Sequence, residues 1–309
     1  MTKPILILFL LLITACTKNT MKLEILEERS SNVLPSGSGI IKYKGNYLAI
    51  GDDAPFLFML DEDFTIIKRI PLLENIPTDT RFSKAEKPDF ETLELIADDE
   101  VVVFGSGSKS PQRDLFLRIV LGDSVRIERY ELTAFYQELK RMPMMHDAEL
   151  NIEATAYHNK QLFLFNRDKN IIFQFGYDAF LQYVQGDAGF PTPLSYSFQL
   201  PSIKGLEAGF SGATFLKGAS KIVFTAAVED TDNAYDDGEI LGSFIGLIDF
   251  SNHEISPSYD FCRVPQNKSQ LKIESVTIDE EHSGGTTSLI LIADDDRGSS
   301  TFLKGNLTW

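Results

Sequence analysis

Only two cysteines, Cys16 and Cys262, occur among the 309 residues. Cys16 follows an apolar run that marks it for a different fate, so no intramolecular disulfide is left to form, even in an oxidising compartment. Cys262 sits in Tyr259-Asp260-Phe261-Cys262-Arg263-Val264, where it reads as strand packing with no base beside it. Histidine is scarce too, with four in the chain and no His-x-x-x-His spacing, which argues against a zinc centre. Lys and Arg number 29 against 45 Asp and Glu, and no basic run exists. A formal net charge of −16 therefore excludes nucleic acid as a partner and favours a cation, or a ligand recognised together with one. No Gly-x-Ser-x-Gly elbow is present, since Gly209-Phe210-Ser211-Gly212-Ala213 lacks the last glycine. The only long apolar run, 5–13, is nine residues, well short of the roughly 20 a helix needs to cross a bilayer.

What that run does instead is visible in its flanks. Lys3 precedes it and Ile13-Thr14-Ala15-Cys16 ends it, an arrangement similar to the bacterial lipobox, in which the cysteine thiol is acylated after cleavage. The expected organisation is a signal peptide over 1–15, a lipidated Cys16 with a polar tether and first strand over 16–32, and one domain over 33–309. Thr17 in place of Asp after the cysteine directs such lipoproteins to the outer membrane, so a lipid-anchored protein of the cell envelope is expected.

The domain repeats. Four openings carry a glutamate: Asp89-Phe90-Glu91-Thr92-Leu93, Asn151-Ile152-Glu153-Ala154-Thr155, Gly205-Leu206-Glu207-Ala208-Gly209 and Lys272-Ile273-Glu274-Ser275-Val276. A fifth, Ser36-Gly37-Ser38-Gly39-Ile40, has Ser38 in the glutamate's place. Each opening leads to a second strand that is a continuous apolar run, at 47–50, 101–104, 162–165, 222–225 and 289–292, as strands covered on both faces require. Further strands follow at 115–120, 171–175, 243–249 and 301–307, with short helices expected at 133–141 and 179–184. Four-stranded units repeating every 50 to 60 residues or so predict an all-β fold, a β-propeller of five blades with six remaining open. The alternating segment 22–27 is the candidate to close the last blade, because an open end would leave exposed sheet edges. A two-sheet sandwich is the rival, but it gives no reason for the recurring glutamate.

In an antiparallel hairpin the start of the first strand lies beside the end of the second. Acidic residues stand at both places: after the second strands come Asp52-Asp53, Arg167-Asp168, Glu229-Asp230 and Asp294-Asp295-Asp296, with the second unit departing as Gly105-Ser106-Gly107-Ser108. Around a propeller axis these groups and the glutamates converge on one mouth of the central channel. Carboxylates so gathered need protons, cationic side chains or a metal. Among metals, clustered carboxylate oxygen favours calcium. Pairing with Lys87, Lys204 and Lys272, each just before a glutamate, is the alternative, a structural ion-pair ring. The loop 230–239 is dense in acid but does not keep EF-hand spacing.

These openings, a glutamate then a small residue then an apolar strand, resemble the phytase-like and esterase-like propeller lipoproteins of bacteria, most clearly over 272–296. Glu207-Ala208-Gly209-Phe210-Ser211-Gly212-Ala213 and Val228-Glu229-Asp230-Thr231 are similar to the uncharacterised propeller lipoproteins of Bacteroidetes-type bacteria. The first resemblance implies calcium held by Glu91, Glu153, Glu207, Glu274, Asp230 and Asp294, with a phosphorylated ligand held by Arg113, Arg167 and Lys204. Two functions result: a propeller that binds a cation or polar ligand at the acidic mouth, or a calcium-dependent phosphoester hydrolase.

Overall fold

The computed structural model describes residues 20–74, 76, 81–231, 238–265, 270–294 and 298–309. The expected signal peptide, Cys16, Asp295, Asp296 and most of the acidic loop 230–239 lie outside them. Among the described residues no helix is long and apolar enough to cross a membrane.

The fold is a five-bladed β-propeller. Strand β1 (Lys22–Ser31) comes first in the chain and belongs to the last blade. Blade 1 runs from the inside outward as β2 (Gly37–Tyr43), β3 (Asn46–Gly51), β4 (Phe56–Leu60) and β5 (Ile66–Pro71). Blade 2 is β6 (Phe90–Ala97), β7 (Glu100–Gly105), β8 (Leu115–Leu121) and β9 (Val125–Glu131). Helix α1 (Thr133–Lys140) leads to blade 3, made of β10 (Ile152–His158), β11 (Gln161–Asn166), β12 (Ile171–Gly176), helix α2 (Tyr177–Val184) and β13 (Leu194–Ser197). A small hairpin of β14 (Ser202–Ile203) and β15 (Leu206–Glu207) intervenes. Blade 4 is β16 (Gly209–Leu216), β17 (Lys221–Asp230), β18 (Glu239–Ser251) and β19 (Glu254–Arg263). Blade 5 is β20 (Lys272–His282), β21 (Thr286–Asp294) and β22 (Ser300–Thr308), completed on its outside by β1. Lys22 pairs with Thr308 and Ser31 with Ser300, so the segment expected to close the circle does so. Both expected helices are present.

The apolar second strands are buried throughout, and they fill five cores, one between each pair of neighbouring blades. Between blades 3 and 4 the core is phenylalanine-rich, with Phe210 edge-on to Phe165 and Phe224, and Phe163 edge-on to Phe250. Cys262, half-buried on β19, packs as expected, and burial pushes its thiol up to about 11.

Every inner strand carries the same irregularity at its start. The pairing of inner and second strand shifts register across Ser38, Glu91, Glu153, Ser211 and Glu274. Such a bulge sets two residues against one and re-aims the extra side chain. The N–H one residue earlier bonds in each case to the preceding blade: Gly37 to Ser300 Oγ at 2.9 Å, Phe90 to Asp52 O at 3.3 Å, Ile152 to Ser106 O at 2.8 Å, Phe210 to Asn170 Oδ1 at 3.0 Å and Ile273 to Ser243 Oγ at 3.0 Å. The register corrects one expectation. In blade 4 the repeated position is Ser211, whereas Glu207 belongs to the hairpin that precedes the inner strand. The circle of bulges thus holds three glutamates and two serines.

The two serines act alike. Ser38 Oγ donates to Phe90 O at 2.5 Å and Ser211 Oγ to Ile273 O at 2.6 Å, each reaching the inner strand of the next blade. Each is followed by a glycine that lets those strands approach. A Cβ on Gly39 would stand 2.9 Å from Leu93 Cβ, and one on Gly212 2.7 Å from Ser275 Cα.

Candidate functional site

The three bulge glutamates face one mouth of the channel and meet acidic groups from the ends of neighbouring second strands. Oxygens of Asp52, Asp89 and Glu91 lie within 4.8 Å of one another. The chain balances this charge with its own cations. Lys87 contacts Asp52 and, at 2.6 Å, Asp89 Oδ1. Arg113, nearly fully buried, donates to Asp89 Oδ2 at 2.7 Å and Ser108 Oγ at 2.8 Å. Across the mouth Arg167 reaches Glu229 at 3.1 Å and Glu153 at 3.8 Å. Lys272 bridges Glu229 at 2.7 Å and Glu274 at 3.0 Å. The expected lysine–glutamate pairing is therefore realised for Lys272 with Glu274, whereas Lys87 turns to Asp52 and Asp89 instead of Glu91 and Lys204 is an exposed residue of the β14–β15 turn.

The balance is incomplete. Six carboxylates (Asp52, Asp89, Glu91, Glu153, Glu229, Glu274) stand against four cations (Lys87, Arg113, Arg167, Lys272). Glu91 makes no hydrogen bond or ion pair with the other described residues, and Asp52 Oδ1 is buried without a hydrogen-bond partner. Burial, with Asp89, Glu153 and Asp52 adding to it, raises the Glu91 carboxyl well above its usual range. Burial likewise raises Glu153 against the pull of Arg167 and Lys272, and pushes Glu274 up to about 8 against Lys272. Asp52 is pushed up to about 6 by burial, Lys87 opposing. Burial acts the same way on Asp89 and Glu229, but their cations outweigh it: Lys87 and Arg113 hold Asp89 low, and Arg167 and Lys272 hold Glu229 low. Lys87 and Arg167 stay charged, because the carboxylates around each outweigh its own desolvation.

Beside the mouth, between blades 3 and 4, opens a cleft of about 410 Å³. Arg167 and Glu229 form its inner wall, and Glu149, Asp168, Lys169 and Glu207 line its rim. Gly209 allows this: a Cβ there would meet Arg167 Cγ at 2.4 Å. Glu207 accepts the Leu200 N–H at 2.7 Å and one from Asn170 Nδ2 at 3.2 Å.

The residues named from sequence thus separate. Glu91, Glu153, Glu274, Arg113 and Arg167 gather at the mouth, and Asp294 stands on its border, opposite Lys272 and acting on Arg81. Asp230 is exposed at the end of β17, Glu207 is on the cleft rim and Lys204 is outside both. Asp89, expected only as part of a strand opening, and Glu229, expected among the acids of the mouth but not as a ligand, are each shared by two cations at the centre of the cluster. For Asp89 the signal was Lys87 two positions before it; for Glu229 the partners Arg167 and Lys272 come from other blades and gave no local signal.

A model described as "Family of unknown function (DUF6929)" matches residues 33–307. No curated protein matches the chain. Among solved structures, the glutaminyl cyclase of Myxococcus xanthus is similar at 11% identity, over 93% of this chain and 96% of its own, with a TM-score of 0.53; at that identity the likeness bears on fold alone. A member of the DUF4221 family from Bacteroides vulgatus aligns over 94% of this chain and 99% of its own, at 10% identity and a TM-score of 0.43.

The raised carboxyls make a pH dependence. Glu274 holds its proton more tightly folded than unfolded, so the stability it contributes is complete below the ordinary Glu range and is lost as pH rises through about 8. Asp52 acts with the same sign, its contribution lost as pH rises through about 6. Asp89 and Glu229 are lowered, so their contribution is lost only in acid and leaves this window alone. The melting temperature is expected to decline from about pH 5 to about pH 9, and Glu274→Gln, which cannot ionise, to flatten that decline. A scan of melting temperature against pH for both proteins checks this.

Proposed function

We propose that this chain, which belongs to the DUF6929 family, is a ligand-binding propeller of the bacterial envelope, anchored through a lipidated Cys16 and taking up a calcium ion at its acidic channel mouth. The observation that carries the binding reading is Glu91, a carboxylate in contact distance of two others that forms no ion pair among the described residues and feels Lys87 only from a distance. A divalent cation would neutralise the excess of six carboxylates over four cations without displacing Lys87 or Lys272. The donor set is oxygen alone, which suits calcium. Glu91 and Asp52, whose Oδ1 lacks a hydrogen-bond partner, would hold it, with Asp89 shared between it and Lys87. The cleft alongside, lined by both signs of charge, gives a polar ligand room next to the cation.

Binding is favoured over phosphoester hydrolysis by the state of the cations. Arg113 and Arg167 are spent on Asp89, Glu153 and Glu229, which leaves little positive charge for a phosphate. The lipid anchor rests on Ile13-Thr14-Ala15-Cys16 directly after the apolar run.

Calcium at 100 times its dissociation constant is expected to stabilise residues 17–309 by about 2.7 kcal/mol. The melting temperature should rise by several degrees, with magnesium less effective and Glu91→Gln abolishing the rise. An equal rise in the variant would remove the site from Glu91; calcium-dependent turnover of p-nitrophenyl phosphate that the variant loses would replace binding with hydrolysis. In cells, Cys16→Ala should move the protein from the membrane to the soluble fraction, and retention in the membrane would contradict the anchor.

A further inference from the structure

The opposite mouth of the channel is built differently. A cavity of about 260 Å³ opens there, and each of the five inner strands contributes to its wall: Lys42 from β2, Glu94 from β6, Tyr157 from β10, Thr214 from β16 and Thr277 from β20. Ile41, Leu95, Phe215 and Ile278 add carbon to the lining, and Lys217, Asp279 and Glu281 add charge.

Several polar groups at this mouth are engaged with one another. Asp279 takes Lys42 Nζ at 2.7 Å and the Tyr47 hydroxyl at 2.8 Å. Glu281 accepts the N–H groups of Lys217 and Gly218 at 3.1 and 2.7 Å. Thr277 Oγ1 accepts the Lys42 N–H at 3.1 Å. Glu94 is the buried acid here that no ion pair neutralises, with Lys217 of the same lining acting on it only from a distance. Its residue is 8% exposed, its Oε1 accepts the adjacent Leu95 N–H at 2.9 Å, and no ion pair joins it to another described residue. A buried carboxylate without a cation is a costly group to keep.

We propose that this far mouth is a second binding site, for a small organic ammonium ion whose charged head meets the Glu94 carboxylate and whose hydrocarbon lies against Leu95, Phe215 and Ile278. A divalent metal fits less well, because it needs several hard oxygen donors and the other two carboxylates here are already engaged. A buried acid with Leu95, Phe215 and Ile278 in the same lining is the complement of an alkylammonium, not of a bare ion.

The protonation of Glu94 supports the pairing. Burial pushes its carboxyl up to about 8, with the Leu95 and Tyr157 N–H groups and Lys217 opposing. At neutral pH it carries a proton, which an incoming ammonium must displace: the O–H bond of the acid breaks, the proton leaves to solvent, and an ammonium–carboxylate pair forms. Neighbouring titratable groups do not mimic this. Burial and Lys217 hold His158, stacked on Phe215, low and neutral. Lys42 and Tyr47 keep Asp279 ionised against the effect of its burial.

The test uses n-butylammonium as probe, with butyrate and 1-butanol as controls, in NMR titrations of the propeller at several pH values. Butylammonium should bind, its affinity rising about tenfold per pH unit as pH approaches 8. Butanol and butyrate should bind at least tenfold more weakly. Glu94→Gln, nearly isosteric and free of the buried charge, should fold with an unchanged or higher melting temperature and lose the binding. Absence of butylammonium binding, binding independent of pH, or preference for butyrate would each overturn the proposal. These wild-type readouts decide the matter even if the variant fails to fold.

Discussion

The whole structure depends on one hydrogen bond repeated at five seams: the N–H just before each bulge, donated to the preceding blade. An inner strand begins inside the protein, where an unpaired N–H would cost a lost hydrogen bond with no water to replace it. Ser300, Asp52, Ser106, Asn170 and Ser243 supply the acceptors, three through side chains and two through backbone carbonyls. Fixing that N–H sets where the inner strand enters the channel, and the bulge one residue later turns the next side chain to the mouth. At Ser38 and Ser211 the hydroxyl goes to the neighbouring inner strand, and the glycine that follows lets the strands close up. At Glu91, Glu153 and Glu274 the same geometry delivers a carboxylate.

Stability and chemistry therefore compete for the same positions. Three acids brought together by the fold would repel one another, and the chain meets this with Lys87, Arg113, Arg167 and Lys272, each held by one or two carboxylates. Asp89 and Glu229, each shared by two cations, anchor the two halves of the network. What is left over falls on Glu91, Glu153, Glu274 and Asp52, whose carboxyls are raised instead of neutralised by an ion pair alone. A cluster fully paired within the chain would be inert filler; this one keeps an appetite for positive charge.

Much of the architecture was legible in the sequence. The continuous apolar second strands, at 101–104 and 162–165 for example, bury on both faces, and the alternating segment from Lys22 pairs with β22 as closure demands. The convergence of Glu91, Glu153 and Glu274 followed from the same repeat. Glu207 misled because Leu206-Glu207-Ala208 imitates the motif only a few residues before the true position. The pair Ser211-Gly212, identical to Ser38-Gly39 in blade 1, was the signal that would have corrected it. Which cation pairs with which acid was not legible, since Arg167 meets Glu229 from a blade 62 residues away. Glu94 gave no sign either, because its environment is assembled from all five inner strands at once.

The central claim is that the mouth retains carboxyls its own cations do not neutralise, and the titration of those carboxyls tests it most directly. With glutamate labelled at the side-chain carboxyl carbon, and Glu91→Gln and Glu274→Gln used for assignment, NMR spectra would be recorded across pH in the absence of added metal. Glu274 is predicted to titrate near pH 8, with Glu91 also far above the ordinary range. If both instead titrate at the ordinary Glu value of about 4.3, the cluster is fully paired within the chain and the account of the mouth as a binding site is contradicted.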